Sequence, residues 1–267
     1  MIGRIGIFPL LLCVMAASHV MAAEPLRLRI LSYNVHHCEG VDGKLDVERI
    51  AGVIKELQPD FVALQEMDKG CTRSNKVDQP AELARLTGLH AVFAKNIDHQ
   101  GGEYGNAVLS RWPVASSHNE VLPCLENGEQ RGALMVDVKI PHGESEASAV
   151  PLTFISTHLD HRPSHAERMI SAEVLNKLQK ASADRKFILA GDLNAGPDSP
   201  VLASFLTHWQ NTASTPLPTV PVNKPHTQID YILVSPSVHA RVLECRVPDE
   251  QVASDHRAIF AEIELSP

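Results

Sequence analysis

Phe187-Ile188-Leu189-Ala190-Gly191-Asp192-Leu193-Asn194-Ala195-Gly196-Pro197 decides how the rest of the chain is read. Four apolar residues, a length that suits a buried strand, open into a loop rich in Gly and Pro. Asp192 and Asn194 sit two residues apart, so a carboxylate and a carboxamide leave the strand end on the same side. Two further blocks, Ile229-Asp230-Tyr231 and Ser254-Asp255-His256, repeat the theme of an apolar strand beside acids and a histidine. Together they suggest a divalent metal and a phosphate ester.

Working outward, Leu26 to Val35 alternates and is aliphatic, which predicts a strand carrying Asn34 at its end. Asp46 has the character of an N-cap, and Val47, Ile50, Ile54 and Leu57 recur at helical spacing up to Pro59-Asp60. Phe61 to Leu64 then predicts a second buried strand that delivers Gln65-Glu66. A short helix is expected over 80–86. Strands are expected over 89–94, 106–110, 133–140 and 152–157, and a second long helix over 164–178. The remaining strands fall at 186–190, 229–234, 238–247 and 258–265, and residues 210–224 are expected to form a surface loop. Some strands are joined by helices and others by hairpins, so the expected class is α/β, packed sheets with helices on their outer faces.

With 267 residues, 44% hydrophobic and 21% charged, the chain fits one globular domain over 24–267. Residues 1–23 read as a signal peptide: Arg4, an apolar run from Ile5 to Ala17, then small residues, too short a run to span a bilayer comfortably. The expected product is a secreted or periplasmic monomer with no stable membrane insertion. Four cysteines would remain in it, and a Cys38 to Cys71 bridge is expected because each follows shortly after a strand with a candidate metal-site residue. The formal net charge of -8 opposes nonspecific binding of nucleic acid or anionic membrane.

Glu66, Asp192 and Asp255 lie at strand ends from distant parts of the chain, with Asn34 and Asn194 beside them. Hard cations such as Mg²⁺ take oxygen ligands of this kind, and Mn²⁺ is the natural substitute. His158, just past an apolar strand, and His256, next to Asp255, are placed to contact a phosphoryl oxygen or protonate a leaving oxygen. Asp230 is the expected orienting partner of His256. A zinc site is the alternative for this cluster, without HExxH spacing or paired cysteines to support it.

Seven segments in order carry a resemblance: Ser32-Tyr33-Asn34, Leu64-Gln65-Glu66, Tyr104-Gly105-Asn106-Ala107-Val108-Leu109-Ser110-Arg111, Ser156-Thr157-His158-Leu159, Gly191-Asp192-Leu193-Asn194, Ile229-Asp230-Tyr231 and Ser254-Asp255-His256. The set resembles the endonuclease/exonuclease/phosphatase superfamily across nearly all of residues 24–267. The resemblance implies a two-sheet α/β sandwich and Mg²⁺-dependent cleavage of phosphoester bonds. It implies Glu66 as the main metal ligand with Asn34 and Asp255 nearby, and Asp192 and Asn194 positioning the attacking water. His256, held by Asp230, would contact the scissile phosphate or act as base, and His158 would assist the leaving group. Arg131, Asn106 and Tyr104 would face the substrate. Fold and core site do not fix the substrate in such a family. Ala195-Gly196 after Asn194 counts against an inositol-phosphatase type, and an aromatic content of 4% counts against a lipid-inserting sphingomyelinase. A small or lipid-derived phosphoester is therefore expected, with an extracellular nuclease and a catalytically inactive binding relative as the alternatives.

Overall fold

In the computed structural model, which describes residues 25–143 and 146–265, two six-stranded sheets stack face to face. The signal-peptide expectation falls on residues outside those described. The first sheet contains β1 (Leu26–Asn34), β2 (Phe61–Lys69), β3 (His90–His99), β4 (Gly102–Ser110), and the late strands β11 (Ala240–Arg246) and β12 (Ile259–Leu265). The second contains β5 (Val114–Val121), β6 (Gly132–Ile140), β7 (Val150–His158), β8 (Phe187–Asp192), β9 (Gln210–Asn211) and β10 (Asp230–Val234). Their orders are β11-β12-β1-β2-β4-β3 and β5-β6-β7-β8-β10-β9.

Each sheet has one parallel pair at its centre, flanked by antiparallel neighbours: β1 with β2, and β7 with β8. Parallel neighbours need a crossover, and a helix supplies it in both sheets. Helix α1 (Val47–Leu57) joins the first pair and α3 (Ala166–Ala181) joins the second. Asp46 caps α1 as its side chain accepts from the Arg49 amide at 2.8 Å. The short helices α2 (Gln79–Thr87) and α4 (Pro200–Leu206) lie on the same outer faces, capped by Asp78 and Ser199.

Strand alternation sorts the apolar residues into three cores. Leu28, Ile30, Phe61, Ala63, Phe154, Ile188, Ala190 and Ile232 fill the space between the sheets. Leu31, Tyr33, Val62 and Leu64 pack outward with Ile50 and Ile54 of α1, while Ile155, Leu189 and Tyr231 pack outward with Leu175 of α3 and Phe205 of α4. The result is the expected two-sheet sandwich with helices on both outer faces.

Several elements differ from the expectation. β5 carries Ala115-Ser116-Ser117-His118-Asn119 on an exposed edge and so shows no apolar alternation. β3 extends to His99 because Gln100 and Gly101, at φ 46° and 78°, form the tight turn into β4. The region 210–224 contains β9, buried Thr212, Thr219 and Val222, and a Val220 to Thr227 bridge, so it is partly packed. The Cys38 to Cys71 bridge is not formed; both are free thiols. Cys38 packs in the core under α1, whereas the Cys71 Sγ donates to the Glu103 carbonyl at 3.3 Å. Burial raises both thiol pKa values, that of Cys71 to about 11.

Candidate active site

The inter-sheet core turns polar at one end. Along β1 the inward residues run Leu28, Ile30, Ser32, Asn34; along β8 they run Ile188, Ala190, Asp192; along β7 they run Phe154, Ser156, His158. These are the carboxyl ends of the two parallel pairs, the end where α/β sheets characteristically bind ligands. β10 enters antiparallel at Asp230, which is the register partner of Asp192. Gly191 permits the close approach there, since a Cβ would stand 2.0 Å from the Thr157 carbonyl oxygen.

Glu66 reaches the site by a different device. It shares the parity of Val62 and Leu64, which face the helices. The register of β2 on β4 shifts between Leu64, opposite Ala107, and Met67, opposite Gly105. Gln65 and Glu66 therefore both oppose Asn106, in a bulge, and Glu66 takes φ 60°. The bulge re-aims the carboxylate inward, while Met67 returns to the outer core.

Asn34 ties the two sheets together at this point: Nδ2 donates to Glu66 Oε1 at 3.0 Å and to Asp192 Oδ2 at 3.2 Å. Its Oδ1 accepts from the His36 amide at 3.1 Å. Asn194, at φ 48°, donates its backbone N–H to Asp192 Oδ1 at 2.8 Å and Nδ2 to the Leu159 carbonyl at 3.0 Å.

Two histidines flank Asp192 and hold opposite charge states. His256 Nδ1 donates to Asp230 Oδ2 at 3.0 Å, and its Nε2 lies 3.7 Å from Asp192 Oδ2. Burial disfavours its cation, but Asp230, followed by Asp192, outweighs burial and pushes its pKa up to about 10. Ser254 fixes this loop, its Oγ donating to the Asn34 carbonyl at 2.7 Å. His158 is held well below its ordinary pKa by burial and by the nearby Arg131 cation. Arg131 Nη1 donates to His158 Nδ1 at 2.9 Å, while Nε2 lies 3.1 Å from Asn194 Nδ2 and 3.5 Å from Asp192 Oδ2. Asp192 itself is pushed up to about 7 by burial and then by Asp230.

Asn34, His158, Asp192, Asn194, Asp230 and His256 thus meet in one cluster, joined by Glu66 at its half-buried rim. Arg131 is buried behind His158, and its Nη2 also reaches His161 Nδ1 at 3.2 Å. Asn106 donates to the Gly132 carbonyl at 2.9 Å, a structural contact between the sheets, and Tyr104 is half-buried near Glu66 with its phenol pKa raised by burial. Asp255 is exposed; its Oδ1 takes a 3.3 Å contact from Ser254 and lies outside the carboxylate cluster. Sequence reasoning does not single out His36 and His37, which stand beside Glu66, nor His161. Two adjacent histidines just past Asn34 are the signal that identifies the first two.

Among the described residues, two groups have ligand atoms close enough to hold a metal ion: Asp192, Asp230 and His256, and His36, His37 and Glu66, each set within 4.8 Å. A divalent cation fits this donor chemistry. Asp230 Oδ1 is buried with no hydrogen-bond partner, and the Asp192 and Asp230 carboxylates share a small buried volume with His256.

The profile of the Endonuclease/Exonuclease/phosphatase family matches residues 31–256. The chain is 27% identical over 257 residues to Uncharacterized protein YbhP of Escherichia coli (strain K12), across 91% of this chain and 98% of that one. It is similar in fold to the endonuclease/exonuclease/phosphatase of Beutenbergia cavernae DSM 12333, with a TM-score of 0.70 and 24% identity over 90% of this chain and 72% of that one. It is also similar in fold to the mannosyl-6-phosphatase Bt3783 of Bacteroides thetaiotaomicron VPI-5482, with a TM-score of 0.71 and 18% identity over 88% and 99% of the two chains.

Proposed function

The chain belongs to the endonuclease/exonuclease/phosphatase family, whose enzymes are hydrolases of phosphoesters, and from that premise we propose an exported, divalent-cation-dependent hydrolase of small or lipid-derived phosphoesters. One observation carries the reading: Asp192 stands between a cationic His256 and a neutral His158, at the joined ends of the two parallel strand pairs. A purely structural cluster has no need of two imidazoles held in opposite charge states around one carboxylate.

The division of labour follows from those states. Asp192, with its pKa raised to about 7 by burial and Asp230, is a far stronger base than an ordinary carboxylate and accepts the proton of the attacking water. Asn194, tied to Asp192 through its amide N–H, holds that carboxylate in register. His256, cationic at neutral pH, binds a phosphoryl oxygen rather than acting as base. His158, neutral and held by Arg131 on Nδ1, is placed to hydrogen-bond the leaving oxygen rather than to protonate it. Glu66, with Asn34 behind it, would hold the cation, whereas exposed Asp255 lies away from it; by the oxygen donors alone the ion would be Mg²⁺ or Mn²⁺. Held there, a divalent cation would supply charge that offsets the build-up on the phosphoryl oxygens.

The substrate class rests on charge and on kinship. A net charge of -8 disfavours a polyanionic nucleic acid, and one protein of like fold is a mannosyl-6-phosphatase. Export rests on Arg4 and the apolar run that follows it. The test is hydrolysis of bis(p-nitrophenyl) phosphate and p-nitrophenyl phosphate with Mg²⁺, Mn²⁺ or EDTA, alongside Glu66→Ala. Turnover that EDTA and the substitution both abolish is expected. Cation-independent turnover, or a fully active Glu66→Ala protein, refutes the reading, and cleavage of DNA in preference to either ester transfers it to the nucleases.

A further inference from the structure

The stretch His36-His37-Cys38-Glu39 follows Asn34 at the end of β1 and takes no part in the chemistry described above. His36, His37 and Cys38 all adopt left-handed backbone, at φ 44°, 44° and 61°. This turn brings the two imidazoles edge to face, with ring centroids 4.5 Å apart, and sets both beside Glu66. One nitrogen of each ring is anchored to the same residue. His36 Nδ1 lies 3.2 Å from the Glu39 carbonyl oxygen, and His37 Nε2 lies 3.3 Å from Glu39 Oε2. Since both oxygens only accept, each ring nitrogen there carries the proton, and the opposite nitrogen of each neutral ring keeps its lone pair.

That arrangement has a recognisable chemical purpose. Metal-bound histidines characteristically donate their other ring N–H to a carboxylate or a backbone carbonyl, which fixes the tautomer and aims the ligand nitrogen. Glu39 performs both kinds of anchoring at once. The free nitrogen of His37 is an independent sign: His37 is 6% exposed, and its Nδ1 is buried without a hydrogen-bond partner among the described residues. A buried acceptor left unmatched carries its full desolvation cost unless something binds it.

We propose that His36 and His37 join Glu66 in a single cation site, organised by Glu39, whose two-nitrogen, one-oxygen donor set takes a first-row transition ion such as Zn²⁺ in preference to Mg²⁺. This rests on the reading of Glu66 as the cation ligand and changes which ion it takes. Mg²⁺ selects all-oxygen surroundings, whereas imidazole favours zinc and its neighbours in the series. Two histidines and one glutamate are also the ligand set of open catalytic zinc sites, which leave a position for water or substrate.

The experiment strips the purified full chain with EDTA, removes the chelator, and titrates with Co²⁺ by visible absorption and with Zn²⁺ by calorimetry in excess Mg²⁺. One equivalent is expected to bind, with ligand-field absorption for Co²⁺ and no displacement by Mg²⁺. The His36→Asn/His37→Asn protein, whose asparagines tolerate left-handed backbone, is expected to lose that binding with unchanged circular dichroism. Glu39→Gln, which leaves both imidazoles in place, is expected to weaken Zn²⁺ by about 10–100-fold. Undiminished Zn²⁺ affinity in both variants, or ready displacement of Co²⁺ by Mg²⁺, overturns the proposal. Ester hydrolysis supported by Mg²⁺ with no Zn²⁺ or Co²⁺ binding also overturns it while leaving the phosphoesterase reading intact. Zn²⁺ bound through the histidines with no ester turned over under any cation does the reverse.

Discussion

Asp230→Asn separates the chemistry of the cluster from its packing. Asp230 is fully buried at the start of β10, with Oδ2 on His256 Nδ1 at 3.0 Å and Oδ1 unpartnered. Asparagine keeps the volume and one acceptor oxygen but removes the charge that sustains the His256 cation. Burial, the largest influence on that imidazole, is then opposed only by Asp192 and Asp255, and the His256 pKa falls from about 10. The phosphate contact loses cationic character accordingly. Losing one positioned charged contact to the phosphoryl group costs about 10²–10³-fold, so kcat is expected to fall by that factor, roughly 3–4 kcal/mol of barrier. Stability moves little. The new amide N–H₂ adds a buried donor at a cost of about 1–3 kcal/mol, but the substitution also removes the repulsion between Asp230 and its register partner Asp192. The assay pairs steady-state kinetics on the better nitrophenyl ester with an NMR titration of the histidines and a thermal melt. A folded variant with kcat within threefold of the parent, or a His256 pKa still near 10, refutes the assignment of Asp230 as the anion that positions and charges His256.

Three further outcomes are expected. Gly191→Ala drives a Cβ to 2.0 Å from the Thr157 carbonyl between β7 and β8; at about 3 kcal/mol for overpacking against backbone, the melting temperature should drop by ~6–12 °C, and an unchanged melt contradicts the close approach. Arg131→Lys should fail to preserve activity, because one ammonium cannot serve both His158 Nδ1 and His161 Nδ1 as the guanidinium does; a loss of about 10²-fold is expected in kcat, and wild-type kinetics would show that the fork is dispensable. Cys38 and Cys71 should both be alkylated by iodoacetamide after denaturation without reductant and resist it in the native protein, since burial raises both thiol pKa values; a mass corresponding to a bridge would contradict the free thiols.

How much of this was legible depends on where each residue gets its direction. Asn34, His158 and Asp192 continue the alternation of strands whose apolar residues already declare an inward face, so their convergence follows from period-two geometry and the parallel pairing. Asp46 is readable as a cap for the same local reason. The polar edge strand β5 is not, because neither of its faces is covered well enough to impose a pattern. The left-handed turn at His36, His37 and Cys38 leaves no propensity signal either: none of the three is glycine or asparagine, and the conformation is imposed by its surroundings.

Glu66 shows why a correct residue can be reached by incomplete reasoning. Reading it as the last residue of a strand ending at Leu64 leaves its direction undetermined, yet β2 continues to Lys69. On an unbroken strand of that length, Glu66 would share the face of Val62 and Leu64 and point into the apolar core under α1 and α2. The extra residue between Leu64 and Met67 reverses that parity at the one position where a carboxylate must turn toward Asn34. Deleting Gln65 would therefore do more than shorten a strand: it would restore the ladder with Glu66 in the place of Gln65 opposite Asn106, out of the bulge that sets its carboxylate against Asn34. Cation binding and hydrolysis should fall together, while Met67 onward keeps its register against β4. The bulge and the carboxylate are one functional unit, and neither is visible in the sequence without the other.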